Sequence, residues 1–241
     1  MIPRFFLLPL CCNIEKNMSI FIISSTILLA YLIGSVPTAV WVGKMFYGLD
    51  IREHGSGNAG ATNTFRVLGV KAGIPVLIFD IFKGWFVVQF ASFANDYLLL
   101  SNHQLVTYQL ALGVMALIGH IFPIYVGFKG GKGVATLLGL VIAIHPIASL
   151  IAIGIFITTL LITKYVSLSS MIAGFSFPIL IIVVFKTTTL PLVIFSMVIA
   201  ILLLFTHQKN IERLLSREES KANIKVRKKK KSMIGDIDLD S

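Results

Sequence analysis

Three short polar segments of the chain carry the residue types that bind phosphate. They cover residues 55–66, 128–136 and 207–215, and each combines glycines or amide side chains with a fixed cation. Backbone amides, amide side chains and Lys or Arg groups together form anion sites. Each segment also adjoins a long apolar run. The predicted chemistry is therefore the handling of a phosphorylated molecule beside lipid.

The first segment contains a glycine-rich loop around Gly57, whose amides can turn inward to form a nest for an anion. Ser56, Asn58 and Asn63 add neutral hydrogen-bonding groups, and Arg66 adds a permanently charged guanidinium. The same glycines also fit an ordinary turn or a close helix contact. The sequence alone leaves both interpretations open.

In the second segment, Lys129 and Lys132 lie on either side of a pair of glycines that includes Gly131. A helix is predicted to begin just after Gly133, and a helix N-terminus, glycine backbone and lysine together predict an anion site. The spacing is not that of a nucleotide-binding P-loop, because Gly133 stands where that motif requires Ser or Thr. A nucleotide triphosphatase is therefore disfavoured.

The third segment places His207 and Asn210 three residues apart, so both project from one face of a helix. A His and an Asn facing two basic loops suit a phosphate or hydroxyl partner. The alternative is a His that only reaches the membrane surface with its polar tip.

Three further ionisable residues lie inside apolar runs. His120 either binds a neighbouring backbone carbonyl or serves function, since ionisable groups within a membrane are usually functional. Asp80 and Lys83 share a helix face and can neutralise each other. Lys83 can also reach the interfacial site, and of the two it is the one expected to touch substrate.

Composition excludes a soluble globule: the 241 residues are 56% hydrophobic and 13% charged, with a mean hydropathy of +0.88. The two cysteines, Cys11 and Cys12, are adjacent and offer neither a disulfide framework nor a set of metal ligands. No metal site is predicted.

Six apolar runs predict an all-α polytopic membrane protein. Five have the length of one span, but the fourth, at about 30 residues, would extend roughly 45 Å against a hydrocarbon core of roughly 30 Å. A break at His145-Pro146 divides it into two short or tilted spans, giving seven in all. A re-entrant pair of helices would serve equally well. The runs cover residues 19–43, 73–93, 104–127, 134–163, 168–185 and 188–206.

Seven spans place the three polar segments and the C-terminal tail on one face. Ten of the 21 Lys and Arg residues lie between Lys209 and Lys231, and the net charge is +10. Beside a membrane span such a cluster indicates a cytoplasmic face and anionic lipid headgroups, rather than nucleic acid. The predicted division is an N-terminal extension at 1–18, one membrane domain at 19–221 and a basic, then acidic, disordered tail at 222–241. Met18 is an alternative start.

At the level of whole motifs, the chain resembles the bacterial acyl-phosphate-dependent glycerol-3-phosphate acyltransferases. Residues 55–66 match the first signature motif of that family, 119–136 the second and 207–219 the third. The resemblance extends over roughly residues 19–221. One departure is Arg217, where the family usually has glycine.

The resemblance implies transfer of a fatty acyl group from acyl phosphate to the 1-hydroxyl of sn-glycerol 3-phosphate, giving lysophosphatidic acid and phosphate. It also implies a seven-helix, multi-pass protein of the bacterial inner membrane, with its active-site loops and C-terminus in the cytoplasm. No cofactor is expected, and the protein is expected to act as a monomer.

The hypothesis for the site assigns phosphate binding to Ser56, Arg66 and Lys132, helped by the amides of Gly57 and Gly131. His207 and Asn210 would bind or orient glycerol 3-phosphate. His207 is a candidate base, although the resemblance favours a substrate phosphate as proton acceptor, and no acyl-enzyme is expected. The remaining predicted substrate contacts are Asn58, Asn63, Lys83, His120, Lys129, Ser167 and Glu219.

Two other functional classes compete with an acyltransferase. A transporter of phosphorylated solutes would show inverted repeats and polar groups near the midplane, and no convincing repeat is present. A lipid-binding scaffold would explain the basic tail but not three separate motifs of Gly, Asn and His.

Overall fold

The computed structural model describes residues 7–222, which form nine α-helices and no strand. The first six residues of the predicted extension and residues 223–241 of the predicted tail lie outside the described residues. The helices are α1 (Leu7–Gly34), α2 (Thr38–Tyr47), α3 (Ala61–Leu68), α4 (Val70–Leu98), α5 (Asn102–Ile121), α6 (Val134–Ile144), α7 (Pro146–Thr163), α8 (Val166–Ile179) and α9 (Leu190–Leu215). A turn of π-helix, Leu180–Val184, extends α8.

Six of these helices are long and apolar enough to cross a membrane, namely α1, α4, α5, α7, α8 and α9. The shorter apolar helix α6 has 11 residues and extends only about 16 Å. The predicted break at His145-Pro146 is confirmed: α6 ends at Ile144, and α7 begins at Pro146. The His145 ring accepts a hydrogen bond from the Ala148 amide at 3.2 Å and so caps α7.

Side-chain contacts establish that α6 and α7 run in opposite directions. Lys132, just before α6, bonds to Asn210 near the end of α9. Ser167, just after α7, bonds to Glu219, which also follows α9. At the other end of the bundle, the His145 ring lies 4.5 Å from the Phe185 ring. The second and third polar segments therefore share one end of the bundle, here called the site end. Arg66 of the first segment lies close enough to Lys132 to lower its pKa, so the first segment is at the same end. That this end is cytoplasmic stays a prediction.

The sequence predicts one span over residues 19–43, but the structure divides this first apolar run into two helices. The first helix, α1, ends at Gly34, and a separate helix, α2, begins at Thr38. The cause is Pro37, which lacks an amide hydrogen and disfavours helical geometry at the residue before it. Because Val36 and the residues around the turn are apolar or small, hydrophobicity alone did not reveal the break.

Glycines bring the helices of the bundle into backbone contact. A Cβ on Gly34 of α1 would overlap the backbone of Ala116 in α5, and a Cβ on Gly84 of α4 would overlap the carbonyl of Thr136 in α6. Small residues allow this close approach, on which helix association in lipid depends. The contacts hold α6, which carries the second polar segment at its start, firmly against α4.

Substitution of Gly84 should therefore destabilise the protein. Gly84→Ala is expected to lower the free energy of unfolding by roughly 1–3 kcal/mol, because the added methyl group must push α4 from α6. Gly154→Ala is the matched control, since Gly154 lies within α7 and a Cβ there meets open space. Its expected effect is a gain of about 0.5–1 kcal/mol. Thermal unfolding midpoints in detergent would measure both, and equal shifts would contradict the packing account.

Candidate functional site

Asn63 shapes the loop of the first polar segment from within. Its Oδ1 accepts a hydrogen bond from the Ser56 amide at 2.9 Å. Its Nδ2 donates to the carbonyls of Ile51 at 2.9 Å and His54 at 3.0 Å. The side chain is buried, and both amide hydrogens are used inside the protein. Asn63 therefore positions Ser56 in this structure, and its predicted contact with substrate stays a prediction.

The two glycines predicted to offer free amides do not do so. The Gly57 amide donates to the His54 carbonyl at 3.1 Å, and the Gly131 amide donates to the His120 carbonyl at 3.2 Å. Gly57 is required for its positive φ of +73°. Gly131 is required because a Cβ there would overlap Nε2 of His120. Both glycines thus shape the site loops, and phosphate binding by their amides stays a prediction.

An ion pair that was not predicted from the sequence lies just before the first segment and connects it to the residues just before the second. Arg52 binds both carboxylate oxygens of Asp50, at 3.0 and 2.7 Å, and also donates to the Val126 carbonyl at 2.7 Å. The hydrogen bond from Arg52 holds the pKa of the Asp50 carboxyl well below its usual value, although burial opposes this shift. The spacing of Asp50 and Arg52 just before the glycine loop was the available signal.

A cavity of about 470 Å³ lies at this junction. Its charged lining comes from Asp50, Arg52, Glu53 and Lys129, and its backbone lining includes Gly57. Lys129 thus lies in a loop beside the first segment, and its contact with substrate stays a prediction. Because the Arg52 guanidinium is paired with Asp50, Lys129 is the cation most available to a ligand in this cavity.

Asp80, Lys83 and His120 form a buried cluster beneath the second segment. Lys83 Nζ lies 2.8 Å from Asp80 Oδ1 and donates to the Val36 carbonyl at 3.0 Å. His120 Nδ1 lies 3.6 Å from the same carboxylate oxygen, and its Nε2 faces Gly131. All three side chains are buried. In this structure Lys83 neutralises Asp80 and His120 supports the backbone of the second segment, while their contact with substrate stays a prediction.

The second and third segments meet around the carboxylate of Glu219. Lys132 Nζ donates to Asn210 Oδ1, and Asn210 Nδ2 donates to Glu219 Oε1 at 2.7 Å. The Ser167 hydroxyl donates to the same oxygen at 2.8 Å. The second carboxylate oxygen lies 3.4 Å from Arg213 Nε. One buried carboxylate therefore holds side chains from the start of α8 and from two turns of α9, and through Asn210 it holds Lys132.

The backbone after α9 must reverse for Glu219 to reach this position. Arg217 has a φ of +60°, in the left-handed region that favours glycine. The Glu219 amide then donates to the Arg213 carbonyl at 3.1 Å, and the Ala222 amide donates to the Lys164 carbonyl at 2.7 Å. The departure noted at Arg217 therefore leaves the reversal intact.

His207 lies one turn of α9 before Asn210 and is also buried. Its Nδ1 lies 3.0 Å from the Leu203 carbonyl, a contact that requires hydrogen on Nδ1. In the neutral imidazole, Nε2 then carries a lone pair. His207 can accordingly accept a hydrogen bond from a hydroxyl group of a ligand.

Charge and helix geometry at this junction are suited to an anion. Burial lowers the pKa of Lys132 to about 8, with Glu219 opposing the shift and Arg213 and Arg66 adding to it. Lys132 is therefore charged at neutral pH and is surrounded by two further cations and one carboxylate. The first-turn amides of α6 lie directly after it, with no side-chain cap from the described residues.

The structure thus brings six of the fourteen predicted site residues together at one locus, with Arg213 added to them. Ser56 and Asn58 lie half-buried in the loop of the first segment. Among the described residues, no group of three or more His, Cys, Asp or Glu side chains is placed to hold a metal ion. The residues at the locus are Arg66, Lys132, Ser167, His207, Asn210, Arg213 and Glu219.

Comparison with known proteins identifies relatives over most of the chain. The family model described as glycerol-3-phosphate acyltransferase matches residues 24–217. A glycerol-3-phosphate acyltransferase of Fusobacterium nucleatum is 44% identical over 195 residues, which cover 81% of this chain and 95% of the relative. One from Staphylococcus carnosus is 45% identical over 195 residues, with the same coverage of 81% and 95%.

Two solved structures share the fold. A crystal structure of PlsY, an integral membrane glycerol 3-phosphate acyltransferase, in its glycerol 3-phosphate form superposes with a TM-score of 0.73 and 34% identity. This superposition covers 83% of the present chain and 95% of the PlsY chain. The lysophosphatidic acid form gives a TM-score of 0.70 at 33% identity, covering 83% of this chain and 94% of that protein.

Proposed function

The chain belongs to the glycerol-3-phosphate acyltransferase family, and on that premise we propose that it transfers a fatty acyl group from acyl phosphate to the 1-hydroxyl of sn-glycerol 3-phosphate. The products are lysophosphatidic acid and inorganic phosphate. The observation that carries this proposal is the junction at Lys132, where three cations and an uncapped helix N-terminus converge. This junction lies at one end of an apolar bundle, where a lipid-soluble donor and a water-soluble acceptor can meet.

Two phosphates must be bound, one from each substrate. Lys132, Arg66 and the Ser56 hydroxyl bind phosphate, helped by the first-turn amides of α6. Asn210 and His207 orient glycerol 3-phosphate, and Ser167 is a secondary contact. Lys129 and Asn58 complete the phosphate contacts on the side of the cavity. Glu219 and Arg213 act indirectly: Glu219 accepts a hydrogen bond from the side-chain amide of Asn210 and so holds Asn210 in place.

The reaction needs no covalent acyl-enzyme, because acyl phosphate is already an activated anhydride. The 1-hydroxyl oxygen attacks the acyl carbonyl carbon, the bond from that carbon to the bridging oxygen breaks, and phosphate leaves with the electron pair. Held cations stabilise the charge that develops on the carbonyl and the leaving phosphate. The hydroxyl proton passes to a substrate phosphate, while His207 Nε2 accepts a hydrogen bond from that hydroxyl and orients it.

The geometry at His207 favours this substrate-assisted route over a protein base. Its Nδ1 bonds to the Leu203 carbonyl rather than to a carboxylate. In serine hydrolases a carboxylate at that position stabilises the imidazolium ion that forms during catalysis. His207 has no such partner at Nδ1 and is better suited to orientation than to proton removal.

Location follows from the same charges. We place the site end in the cytoplasm and the bundle, as a monomer, in the bacterial inner membrane. The six cations between residues 225 and 231 would then lie against anionic headgroups. A transporter is disfavoured, because the cationic groups cluster at one end of the bundle instead of at its midplane.

The first test combines purified protein with palmitoyl phosphate and glycerol 3-phosphate, without metal or nucleotide. We expect release of phosphate and formation of lysophosphatidic acid, and a roughly 100-fold loss in Lys132→Ala from removal of a charged donor in the site. Lys209→Ala is the matched control, since Lys209 is exposed and contributes no side chain to the junction. Activity with acyl-CoA or acyl carrier protein alone would overturn the donor assignment.

The pH dependence of the reaction should report Lys132. Its pKa is lowered to about 8, so its charge is present below that value and is lost as the pH rises through it. We therefore expect kcat/KM for glycerol 3-phosphate to fall above pH about 8. Lys132→Arg keeps its charge throughout this range and should move the fall to higher pH. Rates corrected for spontaneous hydrolysis of acyl phosphate would show this, and an identical fall in both proteins would exclude Lys132 as its cause.

Substitution of His207 separates orientation from proton removal. His207→Gln keeps a polar side chain but loses the imidazole. We expect a raised KM for glycerol 3-phosphate and a fall in kcat of less than about tenfold, because the proton acceptor is the substrate. A base would supply about 100-fold or more. A kcat lowered by that much at saturating substrate would assign proton removal to His207.

A further inference from the structure

Helix α2 presents an apolar face for which the proposed chemistry has no use. Its inner face, which includes Val40 and Gly43, packs on Ile51 and Ala59 of the segment that follows and on Val76 of α4. On the outer side, Trp41 is 42% exposed, and Met45 and Phe46 are each 74% exposed. The helix has 10 residues and extends only about 15 Å, too short to cross a bilayer.

Aromatic residues of the loop after α5 extend this face. The Trp41 and Tyr125 ring centroids are 6.2 Å apart, and Phe128 is also exposed. Trp41, Met45, Phe46, Tyr125 and Phe128 are here called the aromatic ledge. The ledge lies at the site end, because Arg52 ties the segment after α2 to the Val126 carbonyl, next to Tyr125. Lys129, the neighbour of Phe128, lines the adjacent cavity.

We infer that the aromatic ledge lies in the headgroup region of the bilayer leaflet at the site end, with phospholipid as its partner. Trp and Tyr favour this depth, because their rings are apolar and their N–H or O–H groups need water. A short helix with one apolar and one packed face lies flat at such an interface. The ledge is also continuous with the lipid-facing side of α5, where Phe122 is exposed.

Charge supports the same partner. Lys129, which is exposed, follows Phe128, and Lys44 lies on α2 between Trp41 and Met45. Half of the Lys44 side chain is exposed, although its Nζ lies 3.2 Å from Asp50 Oδ2. Cations bordering an apolar patch complement anionic headgroups. In water, a patch of this kind would be an association hazard. The ledge therefore fixes the adjacent cavity at headgroup depth, a consequence that does not depend on which reaction the site performs.

The chain offers a direct probe, because it contains two tryptophans, Trp41 and Trp85. Trp85→Phe leaves Trp41 as the only fluorophore of its kind. The variant would be placed in lipid nanodiscs of phosphatidylcholine and phosphatidylglycerol, brominated either near the glycerol backbone or near the acyl-chain end. We expect the shallow bromines to quench Trp41 at least about twofold more than the deep ones.

The matched control is Trp41→Phe, which leaves Trp85. Trp85 lies within α4, about 8 Å along the helix beyond Asp80, which accepts a hydrogen bond from Thr38 at the start of α2, and its side chain is exposed. The ratio of deep to shallow quenching should therefore be higher for Trp85 than for Trp41. Unchanged thermal unfolding midpoints would establish that both variants are folded.

Three outcomes would overturn the inference. Trp41 quenched by neither lipid would show that the ledge faces water or another protein. Trp41 quenched chiefly by the deep bromines would place α2 in the hydrocarbon core. Shallow quenching that appears only in discs holding a single copy would show that a second copy of the chain covers the ledge.

Discussion

The site depends on the buried carboxylate of Glu219. It accepts hydrogen bonds from Ser167 and Asn210 and lies against Arg213, and through Asn210 it fixes Lys132. Three of these groups share one anion directly, and Lys132 joins them through Asn210, so parts of the chain around residues 132, 167 and 210–213 meet here. A lone carboxylate in a buried position would be strongly disfavoured, and here its hydrogen bonds and charge partners offset that cost. The left-handed turn at Arg217 is what returns the chain to this point.

Below this hydrogen-bond network, the packed helices support the site and contribute no reactive groups to it. The Asp80, Lys83 and His120 cluster is neutralised internally and presents the edge of the imidazole to Gly131. Gly84 allows α6 to touch α4, so the helix that begins beside Lys132 has little freedom to shift. Inside the bundle, Lys83 and Asp80 neutralise each other. The cations that remain available therefore lie at the site end, where we propose that phosphate binds.

Much of this was predictable from local pattern. The break at His145-Pro146 and the common face of His207 and Asn210 follow from proline geometry and helical periodicity, and both hold. The break at Pro37 was missed, because apolar residues surround it and hydropathy does not report backbone geometry. Single-sequence reasoning also could not tell free hydrogen-bonding groups from engaged ones. Asn63, Gly57, Gly131 and Lys83 have suitable chemistry, but their partners are set by tertiary contacts.

The bond between the Ala222 amide and the Lys164 carbonyl has a consequence for everything that follows it in the chain. It anchors the start of the C-terminal tail at Lys164, three residues before Ser167. Lys231 is nine residues beyond Ala222, so in any conformation its Cα stays within roughly 30 Å of that anchor. The chain therefore tethers the six Lys and Arg residues between 225 and 231 to within that distance of Lys164. Dilution of the protein cannot lower their local concentration there, because the tether length alone determines it.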